Sequence, residues 1–103
     1  METITNYETL KKIIQNDFVI IVAKTHTCST CKMIVDHLKQ TITNLNTIES
    51  YQVYVDDCDA FRGEHIIFSV PTVLIFSNGK ELLRESRFIN TNKINRLINN
   101  YLS

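Results

Sequence analysis

Phe18-Val19-Ile20-Ile21-Val22-Ala23, then Lys24-Thr25-His26-Thr27, then Cys28-Ser29-Thr30-Cys31-Lys32, is the stretch that decides the fold. Its first six residues are continuously apolar, partly β-branched and too few for an ordinary helix, which predicts a strand buried on both faces. From Cys31 the period changes. Cys31, Ile34, Val35, Leu38 and Ile42 follow helical spacing, while Lys32, Asp36, Lys39 and Gln40 take the other side. A helix therefore starts just after Cys28, and a Cys-x-x-Cys pair stands at a strand-to-helix junction.

Upstream, Tyr7, Leu10, Ile13 and Ile14 share one face of a short helix over residues 7 to 14 that ends near Asn16-Asp17. Downstream, Tyr51-Gln52-Val53-Tyr54-Val55 alternates as a strand does. A helix is expected from Asp59 to Phe68, although Gly63 and the β-branched pair Ile66-Ile67 lower its propensity. Strands over 72 to 76 and 80 to 88 flank Ser77-Asn78-Gly79, and Asn-Gly is a strong hairpin signal because both residues tolerate positive φ. Ile94, Leu97, Ile98, Tyr101 and Leu102 mark a last helix with Asn90 or Thr91 as its N-cap. The order α-β-α-β-α-β-β-α predicts an α/β fold. Its mixed central sheet has four main strands, the last two an antiparallel hairpin, and helices cover both faces.

The chain of 103 residues has room for one core, so a single domain over 1–103 is expected. Eleven basic residues balance eleven acidic ones, which leaves no global field for nucleic acid or anionic lipid. The six-residue apolar run is far short of the roughly 20 residues that span a bilayer. Met1-Glu2-Thr3-Ile4-Thr5-Asn6 lacks the basic-then-apolar pattern of a secretory signal, so a cytoplasmic location is expected. Richness in Ile, Asn and Lys suits a bacterium with an AT-rich genome. A monomer is expected, with no nucleic acid and no membrane among its partners.

Three cysteines in such a compartment call for a reason other than structural disulfides. Cys28 falls at or just before a helix N-terminus, where unpaired backbone N–H groups and the helix dipole favour an anion such as a thiolate. Two intervening residues bring Cys31 within one turn, close enough for a disulfide yet buried enough that only Cys28 is open to attack. Cys28 is thus the expected nucleophile and Cys31 the resolving thiol. A Cys-x-x-Cys pair is also half of a zinc site, or simply core. Cys58, His26, His37 and His65 are the available further ligands, but none forms a second close pair, and no metal is expected. Farther on, Ser69-Val70-Pro71-Thr72 sets the only proline before a strand, as either a strand-initiating residue or a cis one.

Taken together these residues resemble the thioredoxin family: Cys-x-x-Cys with Lys32 at a strand-to-helix junction, Val70-Pro71-Thr72 ahead of an apolar strand, then Phe76 with Asn78-Gly79-Lys80. Val55-Asp56-Asp57 is similar to the exit of the family's third strand, and the resemblance spans nearly the whole chain. It implies a thioredoxin-like fold and a thiol-disulfide oxidoreductase that reduces protein disulfides through a Cys28/Cys31 cycle. Pro71 would be the cis-proline facing the disulfide, and Val70, Pro71 and Thr72 would bind an extended substrate segment in a strand-like manner. Expected partners are disulfide-containing proteins and an electron donor, either a reductase or a low-molecular-weight thiol. No cofactor beyond the redox-active disulfide is expected.

The departures from the family pattern matter as much. Ser29-Thr30 replaces Gly-Pro between the cysteines, which loosens the helix start and predicts a protein less reducing than thioredoxin's value of about −270 mV. Thr27 replaces a tryptophan. Val22 and Gln52 stand where a buried Asp and its lysine partner are usual, so resolution of mixed disulfides is expected to be slow. Arg87 stands in place of a small glycine near the groove, where it would pair with a carboxylate or be an exposed strand-end residue. His26 near the thiolate would lower its pKa, and Lys24 and Lys32 would add positive potential. Cys58 is expected to be a half-buried bystander. The lost Asp, Lys and Trp also fit another class of protein, an adaptor module with weak redox activity, against which the retained Cys31 and Pro71 argue. An oxidising role outside the cell would need export.

Overall fold

The continuous apolar stretch does become the middle of a sheet. In the computed structural model, which describes residues 1–103, β2 spans Val19–Lys24 and every one of its residues is buried. Around it lie β1 (Glu2–Thr3), α1 (Tyr7–Ile14), α2 (Cys31–Thr41), β3 (Glu49–Tyr54), α3 (Asp59–Glu64), β4 (Thr72–Ser77), β5 (Lys80–Ser86) and α4 (Thr91–Leu102). The strand order is β1-β3-β2-β4-β5. β2 runs parallel to β3, with Val22 opposite Gln52, and antiparallel to β4, with Ala23 opposite Thr72.

Alternation along β2 sends Val19, Ile21 and Ala23 to one face and Ile20 and Val22 to the other. The first face packs under α1 and α3 through Leu10, Ile14 and Phe61. The second packs under α2 and α4 through Ile34, Leu38, Ile94 and Ile98. Each end of α1 is closed by a neighbour. Asn6 Oδ1 accepts from Glu8 N–H at 2.8 Å and Thr9 N–H at 3.3 Å. At the other end Gly79 N–H at the hairpin tip reaches Ile14 O at 3.0 Å. Asn78 and Gly79, with φ of 52° and 84°, supply the left-handed backbone of that tip.

Four expectations need correction. The sheet has five strands, because Glu2–Thr3 pairs in parallel with Tyr51 and Gln52; two residues are too few to show a period. β3 begins at Glu49 and ends at Tyr54, since Val55 already belongs to a 3₁₀ turn over Val55–Asp57. β5 stops at Ser86, where Arg87 turns to φ 64°. The third helix stops at Glu64 and does not reach Phe68.

That early stop has a specific cause. Ile67 N–H reaches back to Arg62 O at 3.0 Å around Ile66, whose φ is 54°. This is a helix C-terminal motif in which the left-handed residue is ordinarily glycine. Arg84 holds the end from β5, donating from Nη2 to His65 O at 2.6 Å and from Nη1 to Ile66 O at 2.8 Å. Burial holds the His65 imidazole below the usual histidine range, against the pull of Glu81 and Glu64. A β-branched residue at positive φ is strained by about 1–2 kcal/mol, and Ile66 is 54% exposed, so little packing offsets that strain. Ile66→Gly is therefore expected to stabilise the fold by about 1 kcal/mol after the entropy of the unfolded glycine is counted. A urea midpoint that fails to rise would contradict this.

Candidate functional site

The sheet topology brings the marked residues to one end. β2 and β3 are parallel and end together at Lys24 and Tyr54, β4 begins beside Ala23, and β5 ends beside Thr72. The loop of residues 25–30, Asp56-Asp57, Pro71 and Arg87 therefore share one edge.

Cys28 and Cys31 are joined as a disulfide with Cα atoms 5.3 Å apart. Cys31 opens α2 on its buried face with Ile34 and Leu38 and is 1% exposed, whereas Cys28 is half-buried in the loop. The first helical N–H, that of Cys31, points at Cys28 Sγ at 3.2 Å. Thr30, the N-cap residue, makes no side-chain cap to the helix. Its Oγ1 lies 3.3 Å from Cys28 Sγ. An amide and a hydroxyl thus converge on the sulfur of the more accessible cysteine, and both would stabilise a thiolate there.

Thr27, Ser29 and Lys32 are exposed around the pair. His26 is turned elsewhere. Its ring stacks on Tyr54 with centroids 3.8 Å apart, its Nε2 meets Asp57 Oδ2 at 2.7 Å, and its backbone N–H donates to Asp56 Oδ2 at 3.2 Å. The histidine thus clasps the loop to the end of β3, and the partners of Cys28 Sγ are Cys31 and Thr30. Lys24 is buried with its Nζ 5.0 Å over the Tyr54 ring, so its charge is engaged in the same clasp. The further zinc ligands considered from sequence are dispersed: His37 is exposed on α2, His65 follows α3, and Cys58 packs with Val55 and Phe61. Cys58 is 7% exposed, so it is buried and not half-buried. The metal-capable side chains that do meet are His26, Asp56 and Asp57, within 4.8 Å and all exposed.

The Val70–Pro71 peptide is cis. Val70 is half-buried and Pro71 buried. Thr72 is 1% exposed, with its Oγ1 donating to Ser69 O at 2.6 Å and lying 3.0 Å from Ser86 Oγ. Its side chain fastens the proline loop to β5 and is closed to a ligand, which corrects its expected place in a binding surface. Arg87 N–H donates to Pro71 O at 2.9 Å, so this residue flanks the proline directly.

Behind the site Val22 is fully buried and packs in the cluster that holds Ile34 and Leu38. Gln52, its neighbour in register, donates from Nε2 to Thr3 Oγ1 at 2.8 Å and to Met1 O at 3.3 Å, leaving Oε1 buried without a partner. Tethering β1 is a role for Gln52 that could not be seen without knowing that β1 exists.

Comparison with known proteins bears on this arrangement as a whole. The family model described as Thioredoxin matches residues 2–101. The thioredoxin-like protein YdfQ of Bacillus subtilis (strain 168) is 29% identical over 75 residues, which cover 73% of this chain and 67% of the relative. The thioredoxin of Chlamydia caviae is 26% identical over 101 residues, 98% of this chain and 99% of its own. Among solved structures, the oxidised thioredoxin from Plasmodium falciparum superposes with a TM-score of 0.82 at 22% identity, covering 100% of this chain and 99% of that one. That likeness shows the fold.

Proposed function

The chain belongs to the thioredoxin family and is a thiol-disulfide oxidoreductase, and on that premise we propose that Cys28 is its attacking thiol and Cys31 its resolving one. The observation that carries this assignment is the difference in exposure between the two bonded cysteines, half-buried at Cys28 and 1% at Cys31. In the dithiol form the Cys28 thiolate attacks one sulfur of a substrate disulfide. A protein–substrate mixed disulfide forms and the other substrate sulfur leaves as a thiolate, which takes up a proton. Cys31, once deprotonated, attacks Cys28 Sγ, forming the Cys28–Cys31 bond and releasing the second substrate thiol. The substrate gains two electrons and two protons, and the protein is left oxidised.

Val22 offers no carboxylate to take the Cys31 proton, so water or the departing substrate thiolate takes it, and resolution is the slow step. An extended protein segment would lie against the backbone at Val70 beside Pro71. A reductase or a low-molecular-weight thiol would restore the dithiol, and no cofactor beyond the cysteine pair takes part in the scheme. We place this cycle in a bacterial cytoplasm, where such a pool of reductant is found; no helix is long and apolar enough to cross a membrane.

The test is the reduction potential of the pair. The protein, with Cys58→Ser to remove the third thiol, is equilibrated in thiol–disulfide buffers and its free thiols are counted by mass shift. A midpoint a few tens of millivolts less negative than about −270 mV is expected, where each 30 mV corresponds to about 1.4 kcal/mol. A pair that never forms the disulfide across the buffer range would overturn the proposal.

A further inference from the structure

The turn that ends β5 is built against backbone preference. Phe88 N–H reaches Ser86 O at 2.7 Å across Arg87, whose φ is 64°. An i to i+2 bond around a positive central φ is the rare, strained form of γ-turn. Glycine would adopt it without steric cost, so an arginine here gains nothing for the fold. The turn is nonetheless firmly held. Arg87 N–H bonds Pro71 O at 2.9 Å, and Ser86 Oγ lies 3.0 Å from Thr72 Oγ1. Strain maintained beside a reactive centre points to a use for the side chains it presents.

Two side chains are presented. Phe88 is 92% exposed, and the Arg87 guanidinium, also exposed, has no ion pair or hydrogen bond. With Ile34, His37, Glu85 and Asn90 they line a groove of ≈ 540 Å³ between α2 and the turn. Three other titratable groups lie in or beside it, one of them the carboxylate of Glu85. Glu85 Oε1 accepts from Asn90 N–H at 3.1 Å, His37 faces the groove from α2, and Asp36 lines the adjoining cleft. Arg87 is thus the groove's free cation, beside an uncovered aromatic ring. Arginine and aromatic side chains are the residues enriched at the centres of protein interfaces.

We propose that the Ser86-Arg87-Phe88 turn selects substrates. The Arg87 guanidinium receives an Asp or Glu carboxylate of the extended protein segment that carries the disulfide, and the Phe88 ring covers a neighbouring apolar residue of that segment. The planar fork of arginine matches a carboxylate in two parallel bonds, which fixes register as well as charge. This inference rests on the reductase reading above and adds to it the class of segment preferred.

The test uses the reduced full-length protein and two peptides with one internal disulfide each, identical except for Glu or Lys beside the attacked cysteine. The Glu peptide is expected to have a KM lower by up to about fivefold at low salt, as suits one exposed ion pair. The gap should close at about 1 M salt. Arg87→Glu should reverse the preference and Arg87→Gln should level it, with thermal melts confirming that both variants fold. Equal KM values in the natural sequence, or a preference that survives both substitutions, would overturn the proposal. So would an effect of the Arg87 substitutions seen only with glutathione disulfide, run beside the two peptides, which would give Arg87 to a small thiol. Reduction of neither peptide would instead remove the reductase reading beneath it, a result plainly different from equal rates on both.

Discussion

Replacing Cys28 with serine is expected to lower the rate of disulfide reduction at least about 10³-fold, because a serine hydroxyl is neither ionised nor comparably nucleophilic at neutral pH. Cys31→Ser is expected to behave differently. Its Cys28 still attacks, but no second thiol displaces the substrate, so protein accumulates as a mixed disulfide heavier by the mass of the substrate thiol. Mass spectrometry of both variants after one substrate addition reads the assignment directly. Adduct on Cys28→Ser and none on Cys31→Ser would exchange the two roles. Cells lacking the natural protein give a second reading. Complementation by Cys28→Ser would favour an adaptor that binds without chemistry, whereas loss of function places the activity in the sulfur.

This asymmetry does not depend on a strong electrostatic field. The chain has eleven charges of each sign, and the imidazole of His26, two residues from Cys28 in the chain, is committed to Asp57 and Tyr54. What acts on Cys28 Sγ is local: the Cys31 amide at 3.2 Å, the Thr30 hydroxyl at 3.3 Å, and the N-terminal end of α2 behind them. Thr30 takes the place of a proline, which has no hydroxyl to offer. The exchange that loosens the helix start also adds a donor to the thiolate, and both effects are expected to make the oxidised form easier to reduce.

The features legible from sequence were those set by a long period or by special backbone chemistry. The buried run before Cys28, the helical spacing after Cys31 and the Asn78-Gly79 turn each define their element without outside help. What escaped depends on tertiary partners. β1 is two residues long and exists only because β3 pairs with it. The end of α3 is set by Ile66 in a position that favours glycine and by Arg84 reaching over from β5. Thr72 stands in the tetrapeptide that the family resemblance marks for ligand contact, but a strand position says nothing of which hydroxyl is turned inward. His26 lies two residues from Cys28 in the chain, and the partner that claims it, Asp57, lies 31 residues away. Closeness in sequence does not decide which partner a loop side chain meets.

Val22→Asp carries the largest expected effect on stability. The side chain is 0% exposed, among Ile20, Ile34, Leu38 and Val73, and the neighbour in register is an uncharged glutamine. A carboxylate placed there is unpaired, and the expected loss is about 3–5 kcal/mol at pH 7. The pH dependence tests the cause. Burial raises the folded pKa of the new carboxyl above its unfolded value of about 3.9, so the folded state binds a proton that the unfolded state has released. The penalty is therefore full at neutral pH and shrinks as pH falls toward about 3.9; a deficit independent of pH would point to packing instead. Adding Gln52→Lys supplies the missing cation on the adjacent strand, where Gln52 already leaves Oε1 buried and unpartnered. Strand spacing of about 4.8 Å puts the two side chains within ion-pair reach, and part of the lost stability should return. The double variant also tests the proposal that resolution is slow for want of a base. With a base restored behind α2, release of the second substrate thiol in single-turnover stopped flow should accelerate by about tenfold or more. An unchanged release rate in a folded double variant would mean that deprotonation of Cys31 does not limit the cycle.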